Sequence, residues 1–308
     1  MDTPKKKSEE KKVKQKELSR VVTEPMELMS FLIAEFPDKS RTTIKSYLSH
    51  RQVSVNDRVV TQYNFPLRKG ETVVLNFGQM AQTVQYHGLK IIYEDDAIIV
   101  IDKEEGLLSI ATEKERQKTA YFILLEHVRE MNPKDRVYVV HRLDKEASGL
   151  MMFAKSEELQ EKIQRDWKEN IIDRRYAVLV EGKMKNEEGT HTSWLMESKA
   201  LIVYSYNHDN GGQKAITHYK VLQSNDDYSL LEARLETGRK NQIRVHMQDL
   251  GHSIVGDKKY GSTQNPIRRM GLHAMLLAFK HPVSGKEMKF ETPIPRKFLS
   301  VFNYRKTE

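Results

Sequence analysis

The sequence contains no cysteine among its 308 residues. Disulfide bonds, thiolate nucleophiles and cysteine-ligated zinc are therefore excluded, and a reducing compartment is favoured. No apolar run approaches the length of a membrane span, and the N-terminus is charged where a secretion signal would be apolar. We therefore expect a soluble, cytoplasmic protein.

Several common catalytic motifs are also missing. The chain has no glycine-rich phosphate loop and no dinucleotide-binding fingerprint after a strand. Its 11 histidines include no HExxH pair, and neither a Gly-x-Ser-x-Gly turn nor the set of kinase motifs occurs. Carboxylates, tyrosines and arginines remain to carry any chemistry.

Positive charge is in excess along the chain. The formal net charge is +8 and the pI is about 9.3, which favours an anionic partner, with nucleic acid the leading candidate. Half of the excess lies in residues 1–20, where seven lysines and one arginine face three glutamates and one aspartate. We expect residues 1–23 to form a basic, disordered tail.

Residues 24–78 are predicted to form a small α+β module. An apolar stripe indicates a first helix, and Ser40 is a suitable N-cap for a second. Asn56-Asp57 lies between two short β-branched segments and indicates a hairpin.

Basic residues gather on one side of this module. Arg41 and Lys45 lie one turn apart on the second helix, with Arg51 just beyond it. The ordered string FPDKSRTTIKSYLSHRQVSVNDRVV resembles the small RNA-binding domain named after ribosomal protein S-four. That resemblance implies that the three basic residues contact RNA phosphates.

Residues 79–90 are expected to be a polar linker, and residues 91–308 a larger domain. In that domain the predicted strands are numerous and the helices few, without the regular strand–helix alternation of a parallel α/β protein. We therefore predict an α+β fold with a largely antiparallel sheet and helices packed on it.

A charged segment interrupts the larger domain. Residues 141–146 (HRLDKE) separate two apolar segments, 137–140 and 149–154, that are predicted to be buried strands. A carboxylate in such a connection lies at the end of a sheet, where it can face a pocket. Asp144 is therefore a candidate functional residue, although a strand-end aspartate more commonly caps a turn.

Three segments together carry a family resemblance: HRLDKEASGL (141–150), RRYAVLVEG (174–182) and LETGRKNQIRVHMQDLGHSIVGDKKYG (235–261). In this order they resemble the RluA/RluD family of RNA pseudouridine synthases, and the resemblance extends from about Pro25 to Pro295. It implies a catalytic domain with a long, bent, mainly antiparallel sheet, and an enzyme that isomerises uridine to pseudouridine in RNA. It implies neither a cofactor nor a metal, because the reaction has no redox step.

The resemblance assigns roles to three residues. Asp144 is the catalytic carboxylate, either as nucleophile or as base at the sugar. Arg244 forms a bidentate pair that keeps Asp144 ionised, and helical spacing leaves Arg244 off the apolar stripe of a helix predicted near residues 241–250. Tyr176 stacks on the target base and is a candidate for proton transfer.

Five further residues are expected to contact the substrate. Arg142, beside the catalytic aspartate, fills the gap left by a flipped nucleotide or binds phosphate. Leu272 lines the pocket. His141, Arg239 and Gln242 complete this set.

The chain departs from the family pattern at three places. Ala147 stands where threonine is frequent, Asn241 where histidine is common, and Glu104-Glu105 where Pro-Ala is common. No catalytic group is lost, but substrate choice and local hydrogen bonding are left open.

The expected substrate is uridine in large-subunit ribosomal RNA, with transfer RNA second, because an additional RNA-binding module suits a large, structured target. No obligatory protein partner is indicated, and we expect a monomer. Two other interpretations stay open. One is an inactive RNA-binding protein, and the other is a glycosidase or nucleoside hydrolase in which Glu146 or Asp257 is a second carboxylate beside Asp144.

Overall fold

The structure, a computed structural model, describes residues 17–303 except 38, 50–51, 57 and 77–84. The chain divides near residue 82 into two compact units, and residues 130–132 group with the smaller one. This division falls within the segment that was predicted to be a linker. Within the described residues, no helix is long and apolar enough to cross a membrane.

The smaller unit contains two short helices and a four-stranded antiparallel sheet of order β1-β6-β3-β4, with a separate β2–β5 pair. Its elements are β1 (Glu17–Val21), β2 (Met26–Glu27), α1 (Leu28–Glu35), α2 (Arg41–Ser49), β3 (Val53–Val55), β4 (Arg58–Val59), β5 (Pro66–Leu67) and β6 (Thr72–Asn76). Ser40 caps α2 as predicted, since its hydroxyl accepts the Thr43 backbone N–H at 3.1 Å. Asn56 has the left-handed φ of 47° that the hairpin turn requires.

Two boundaries differ from the sequence prediction. Residues 17–21, which were expected in the disordered tail, form β1 and pair along the whole of β6. The reason is that backbone hydrogen bonds to a sheet edge need little apolar side-chain burial, so basic composition alone did not reveal the strand. Likewise, Gln85–Tyr86 and the start of the next strand lie inside the predicted linker 79–90. Residues 1–16 and 77–84 lie outside the described part of the chain.

The larger unit is built on one twelve-stranded sheet. Its elements are β7 (Gln85–Tyr86), β8 (Leu89–Glu94), β9 (Ile98–Lys103), α3 (Ala120–Met131), β10 (Tyr138–Val139), β11 (Ser148–Ala154), α4 (Glu157–Arg165), α5 (Trp167–Asn170), β12 (Ile171–Glu181), β13 (Glu188–Glu197), β14 (Val203–Tyr206), β15 (Gln213–Ser224), β16 (Tyr228–Leu235), α6 (Gln242–Asp249), β17 (Leu272–Lys280), β18 (Glu287–Glu291) and α7 (Arg296–Ser300). A 3₁₀ turn spans Lys258–Tyr260.

The strand order is β14-β13-β15-β16-β12-β17-β11-β9-β8-β7, with β10 added to β11 and β18 added to β17. Every described pair is antiparallel except β11–β17. The predicted α+β class with a mainly antiparallel sheet is therefore confirmed.

The parallel pair brings the segment around Asp144 to the middle of the sheet. Gly149 of β11 lies opposite Ala274 of β17 and has a φ of 110°. A Cβ at position 149 would lie only 2.2 Å from the Ala274 carbonyl oxygen. Glycine is therefore required for this close approach, which holds the β10–β11 connection against the start of β17.

Candidate active site

A cavity of about 720 Å³ opens on the larger unit. Its walls come from the β10–β11 connection, the end of α4, α5, the first half of β12, the turn between β16 and α6, the first turn of α6, and the first residue of β17. The cavity is lined by all eight residues of the larger domain that were predicted to have a catalytic or substrate-binding role in a pseudouridine synthase: His141, Arg142, Asp144, Tyr176, Arg239, Gln242, Arg244 and Leu272. Residues spread over more than 130 positions of the sequence thus meet in one place.

Asp144 lies in the β10–β11 connection, where its carbonyl oxygen accepts the Ala147 N–H at 3.2 Å. Its carboxylate accepts a hydrogen bond from Nη1 of Arg244 at 2.9 Å. The side chain is 29% exposed. The carboxylate is thus oriented by a cation and still open to the cavity.

Arg244 holds two carboxylates rather than one. Its Nε and Nη2 donate to Asp257 at 2.7 and 2.8 Å, and only Nη1 reaches Asp144. The bidentate partner is therefore Asp257, which corrects the predicted bidentate pair with Asp144. Asp257 is 1% exposed and needs two strong hydrogen bonds, whereas Asp144 also meets the open cavity.

The charge on Arg244 is strongly stabilised. Burial opposes the charged form, but hydrogen bonds to Asp257 and the attraction of Asp144 raise the pKa of Arg244 above its usual range. The guanidinium carbon also lies 4.9 Å from the centre of the buried Tyr260 ring, a cation–π arrangement. Asn241, in a left-handed conformation with φ 55°, begins the turn into α6 and donates its amide to the Tyr260 hydroxyl at 3.0 Å.

Among the described residues, the second carboxylate that a two-carboxylate hydrolase would need is not found beside Asp144. Asp257 is enclosed behind Arg244, and neither it nor Glu146 lines the cavity. Glu236, the other carboxylate on the cavity wall, lies 3.3 Å from His218. Among the described residues, no group of three or more histidine or carboxylate side chains is placed to hold a metal ion.

A buried lysine supports the Asp144 loop from within. Lys103, at the end of β9, donates its ammonium to the carbonyls of Ala147 at 2.6 Å, Leu107 at 2.9 Å and Lys145 at 3.3 Å, as well as to its neighbour Glu104. Burial lowers the pKa of Lys103 to about 8, so the ammonium form still dominates at neutral pH. This role was not predicted from the sequence, although a lysine at the end of an apolar strand is a usable sign of it.

Further hydrogen bonds fix the same loop. The Ser109 hydroxyl donates to the Leu143 carbonyl at 2.7 Å and accepts the Leu143 N–H at 3.2 Å. Gly106 donates its N–H to Lys145. Glu105, one of the departures from the family pattern, pairs with the buried Arg269 at 2.9 Å.

Tyr176 lies on β12 with 8% of its surface exposed, beside the cavity. Burial raises the pKa of Tyr176, with Arg174 opposing the shift and Asp144 adding to it, so the phenol stays protonated at neutral pH. Among the described residues its hydroxyl makes no hydrogen bond, which leaves that group available to a ligand. Leu272, 5% exposed, contributes an apolar wall.

Gln242 was predicted to contact the substrate, but its side chain makes hydrogen bonds within the protein. Its amide nitrogen donates to the Ile216 carbonyl and the Thr217 hydroxyl, at 2.9 and 3.0 Å. Its amide oxygen accepts from the Thr237 hydroxyl and the Arg239 N–H, at 2.9 and 3.0 Å. All of its hydrogen-bonding positions are filled, so Gln242 fixes the turn before α6.

The other predicted substrate contacts are placed differently from one another. Arg142 is exposed on the cavity wall, and Arg239 donates its Nε to the Lys214 carbonyl at 3.2 Å. His141 is partly buried, and its Nε2 accepts the Met152 N–H at 3.0 Å. In the smaller unit, Arg41 and Lys45 are exposed on α2, whereas Arg51 lies outside the described residues.

Comparison with known proteins points to one family. A family model described as RNA pseudouridylate synthase matches residues 97–249. An uncharacterized RNA pseudouridine synthase of Bacillus subtilis is 33% identical over 249 residues, which cover 79% of this chain and 87% of that protein. A ribosomal large subunit pseudouridine synthase D of Haemophilus influenzae is 32% identical over 293 residues, 89% of each chain.

A solved structure shares the fold. Human RNA pseudouridylate synthase domain containing 4 superposes with a TM-score of 0.56 at 22% identity, over 68% of this chain and 90% of that one.

Replacing Arg244 should separate its role in protein stability from its role in orienting Asp144. Arg244→Met leaves the buried Asp257 unpaired, which should destabilise the protein by about 3–5 kcal/mol in chemical denaturation. The rate of any Asp144-dependent reaction should also fall, because the guanidinium that orients the Asp144 carboxylate at 2.9 Å is lost.

The double variant Arg244→Met, Asp257→Asn is the matched control. It removes the unpaired buried charge of Asp257, so it should recover part of the free energy of unfolding without recovering the rate of the Asp144-dependent reaction. A normal reaction rate in the single variant would show that Arg244 does not assist Asp144.

Proposed function

The chain belongs to the RNA pseudouridylate synthase family, and we propose that it isomerises specific uridines in structured RNA by means of a single carboxylate, Asp144. The observation that carries this assignment is the Asp144 carboxylate, which is held by Arg244 at 2.9 Å and remains open to the cavity. A fixed, partly exposed carboxylate suits attack at a sugar carbon.

The reaction requires little beyond that carboxylate. The bond between N1 of uracil and C1′ of ribose breaks, and a bond between C5 and C1′ forms. The C5 proton leaves and N1 takes up a proton, so product and substrate are isomers. Asp144 would act either as nucleophile at C1′ or as base toward the 2′ hydrogen, and a rate decrease with 2′-deuterated uridine would favour the second route.

The target uridine has to leave its stack to reach Asp144. Extruding a base costs a few kcal/mol, least in loops and bulges. In this proposal the extruded uracil stacks on Tyr176, with Leu272 as an apolar wall and the Tyr176 hydroxyl near the reacting base. Arg142, exposed on the cavity wall, fills the gap left in the RNA or contacts its phosphates.

We propose large-subunit ribosomal RNA as the substrate, with transfer RNA as the second candidate. The support is similarity over 89% of both chains to a protein named as a ribosomal large subunit pseudouridine synthase. The smaller unit adds a second argument, because contacts far from the flipped base help to fix register on a large RNA.

The smaller unit is proposed to bind RNA phosphates in the manner of the S-four-type domain that its sequence resembles. Arg41 and Lys45 are four residues apart on α2, and both are exposed. Exposed cations at this spacing form one charged side of a helix.

Loss of Asp144 should remove pseudouridine from specific RNA positions. Pseudouridines would be mapped in total RNA of cells without the gene, and of the same cells supplied with wild-type protein, Asp144→Asn or Glu146→Gln. We expect wild type and the Glu146→Gln control to restore sites in large-subunit ribosomal RNA and Asp144→Asn to restore none, since it keeps the shape but loses the charge.

Purified Asp144→Asn should still bind RNA with nearly wild-type affinity. Sites that disappear only from transfer RNA would refute the ribosomal assignment, and restoration by Asp144→Asn would refute the catalytic one.

Tyr176 variants should distinguish stacking from proton transfer. Tyr176→Ala should weaken RNA binding by about 1–3 kcal/mol, the usual contribution of one stacked base, whereas Tyr176→Phe should keep it. In single-turnover assays Tyr176→Phe should nevertheless slow product formation, because the free hydroxyl is lost. Tyr219→Phe is the control, since Tyr219 is buried in the same core but does not line the cavity. Near-normal rates in both Tyr176 variants would make Tyr176 an ordinary core residue.

Charge removal on α2 should alter the salt dependence of binding. The double variant Arg41→Gln, Lys45→Gln should reduce the slope of log affinity against log salt by about 1 to 2, since each lost phosphate contact releases fewer counterions. Conversion of a minimal stem-loop should persist. Lys69→Gln, an exposed lysine of the same unit, is the control, and an unchanged slope in the double variant would refute this RNA contact.

A further inference from the structure

Arg174 is a buried cation for which the described residues supply no anionic partner. Its side chain lines the cavity and is 9% exposed. Its Nε is buried with no hydrogen-bond partner, and among the described residues no carboxylate pairs with its guanidinium. A buried guanidinium in this state is unfavourable unless another group compensates it.

The protein compensates the buried positive charge of Arg174 only in part. The guanidinium carbon lies 5.3 Å from the centre of the Trp167 ring, so the aromatic face supplies a weak attraction. On the other side Gly238 contributes no side chain, and a Cβ there would lie 3.1 Å from Nη1. The guanidinium is thus held in place while its donors are left unused.

The nearby carboxylates are committed elsewhere. Asp173, the preceding residue, pairs with Arg175 at 2.7 Å and Arg234 at 3.2 Å. Asp144 pairs with Arg244. The charge of Arg174 is therefore available to a group from outside the chain.

His141 supplies a second unused donor on the same cavity. Because its Nε2 accepts the Met152 N–H, the ring proton of the neutral form lies on Nδ1. Burial, with a contribution from Arg174, lowers the pKa of His141 to about 3, so the ring is neutral at physiological pH. Within the described residues, Nδ1 has no acceptor. Its ring lies 5.3 Å from that of Trp167, which also contacts Arg174.

We propose that Arg174, with His141 beside it, binds a phosphate that directly flanks the uridine held at Tyr176. Arg174 and Tyr176 are two residues apart on β12 and share its buried face. Their backbones are therefore roughly 7 Å apart, a separation that one nucleotide can bridge. The inference rests on the proposed function and adds a phosphate subsite to it.

A phosphate fits this subsite better than a uracil carbonyl. The guanidinium carries a full, unpaired charge, and its planar donors match phosphate oxygens in pairs. A neutral carbonyl would leave that buried charge uncompensated. The subsite therefore selects for an anionic oxygen group.

A double-mutant cycle between protein and RNA tests the contact. The probe is a hairpin RNA with one loop uridine, selected for tight binding to the wild-type protein and made with normal linkages or with one neutral methylphosphonate. That methylphosphonate is placed 5′ of the uridine, 3′ of it, or at a remote stem position. Equilibrium affinity and single-turnover rate would be measured for full-length wild type, Arg174→Gln, Arg174→Lys and Arg175→Gln. Arg175, the neighbour on the opposite face of β12, does not line the cavity and is the matched control.

One flanking methylphosphonate should weaken binding to wild type and Arg175→Gln by about 10- to 100-fold, the range for charge-assisted hydrogen bonds. Arg174→Gln should lose about the same affinity on normal RNA and show no additional loss with that methylphosphonate. Arg174→Lys keeps the charge and the fold, and should stay sensitive to the neutral linkage.

Two results would overturn the proposal. In one, Arg174→Gln remains as sensitive to both flanking linkages as wild type. In the other, neither flanking linkage affects wild type, which would assign Arg174 to an uncharged group of the base. Affinity decides the phosphate contact, whereas pseudouridine formation by wild type decides the proposed function. Energetic coupling between Arg174 and a flanking phosphate, without formation of pseudouridine, would therefore support the phosphate subsite and refute the isomerase activity.

Discussion

The guanidinium of Arg244 joins the wall of the cavity to the interior of the larger unit. Two of its nitrogens satisfy the buried Asp257, and the third orients Asp144. Without this pairing Asp257 would be a buried carboxylate with no compensating cation, and Asp144 would lose its orientation. The position of the reactive carboxylate therefore depends on how α6 packs.

Neutral polar contacts fix α6 against the sheet. His246 is fully buried, and its ring nitrogens lie 2.8 Å from the Thr217 hydroxyl and 3.0 Å from the Ser193 hydroxyl. Burial lowers the pKa of His246 to about 4, so it anchors the helix without adding charge near Arg244. On the opposite side of Asp144, Lys103 and the close β11–β17 approach at Gly149 fix the loop. The carboxylate is thus held from two directions by rigid elements, as a reactive group requires.

The charged groups on the cavity wall and directly behind it divide into two kinds. Asp144, Arg244 and Asp257 together carry a formal net charge of −1, so they do not attract an RNA phosphate. Cations outside this trio have to do so. Among the cations that line the cavity, Arg174 is the buried one for which the described residues supply no carboxylate partner. A negative reactive group and a separate positive group match a nucleotide, whose sugar carbon and phosphate need opposite environments.

Local sequence pattern determined the elements and the faces they present. Alternation placed Arg174 and Tyr176 on one face of β12, helical spacing left Arg244 off the apolar stripe of α6, and an apolar–charged–apolar pattern put Asp144 in a connection between strands. These features follow from the periods of helix and strand, which any short segment reveals. The family motifs indicated which of these residues belong to one site.

Only the tertiary structure decided which groups became partners. It gave the bidentate pair to Asp257 rather than Asp144, and it filled every hydrogen-bonding position of Gln242. It left Arg174 without a carboxylate partner among the described residues, and it joined β11 to β17 across more than 120 residues. It also formed a strand from residues 17–21, whose charge had indicated a tail. The period of its helix or strand fixes the direction in which a side chain points. The groups that it contacts there belong to segments distant in the chain, and sheet order and packing determine which of these segments lie beside it.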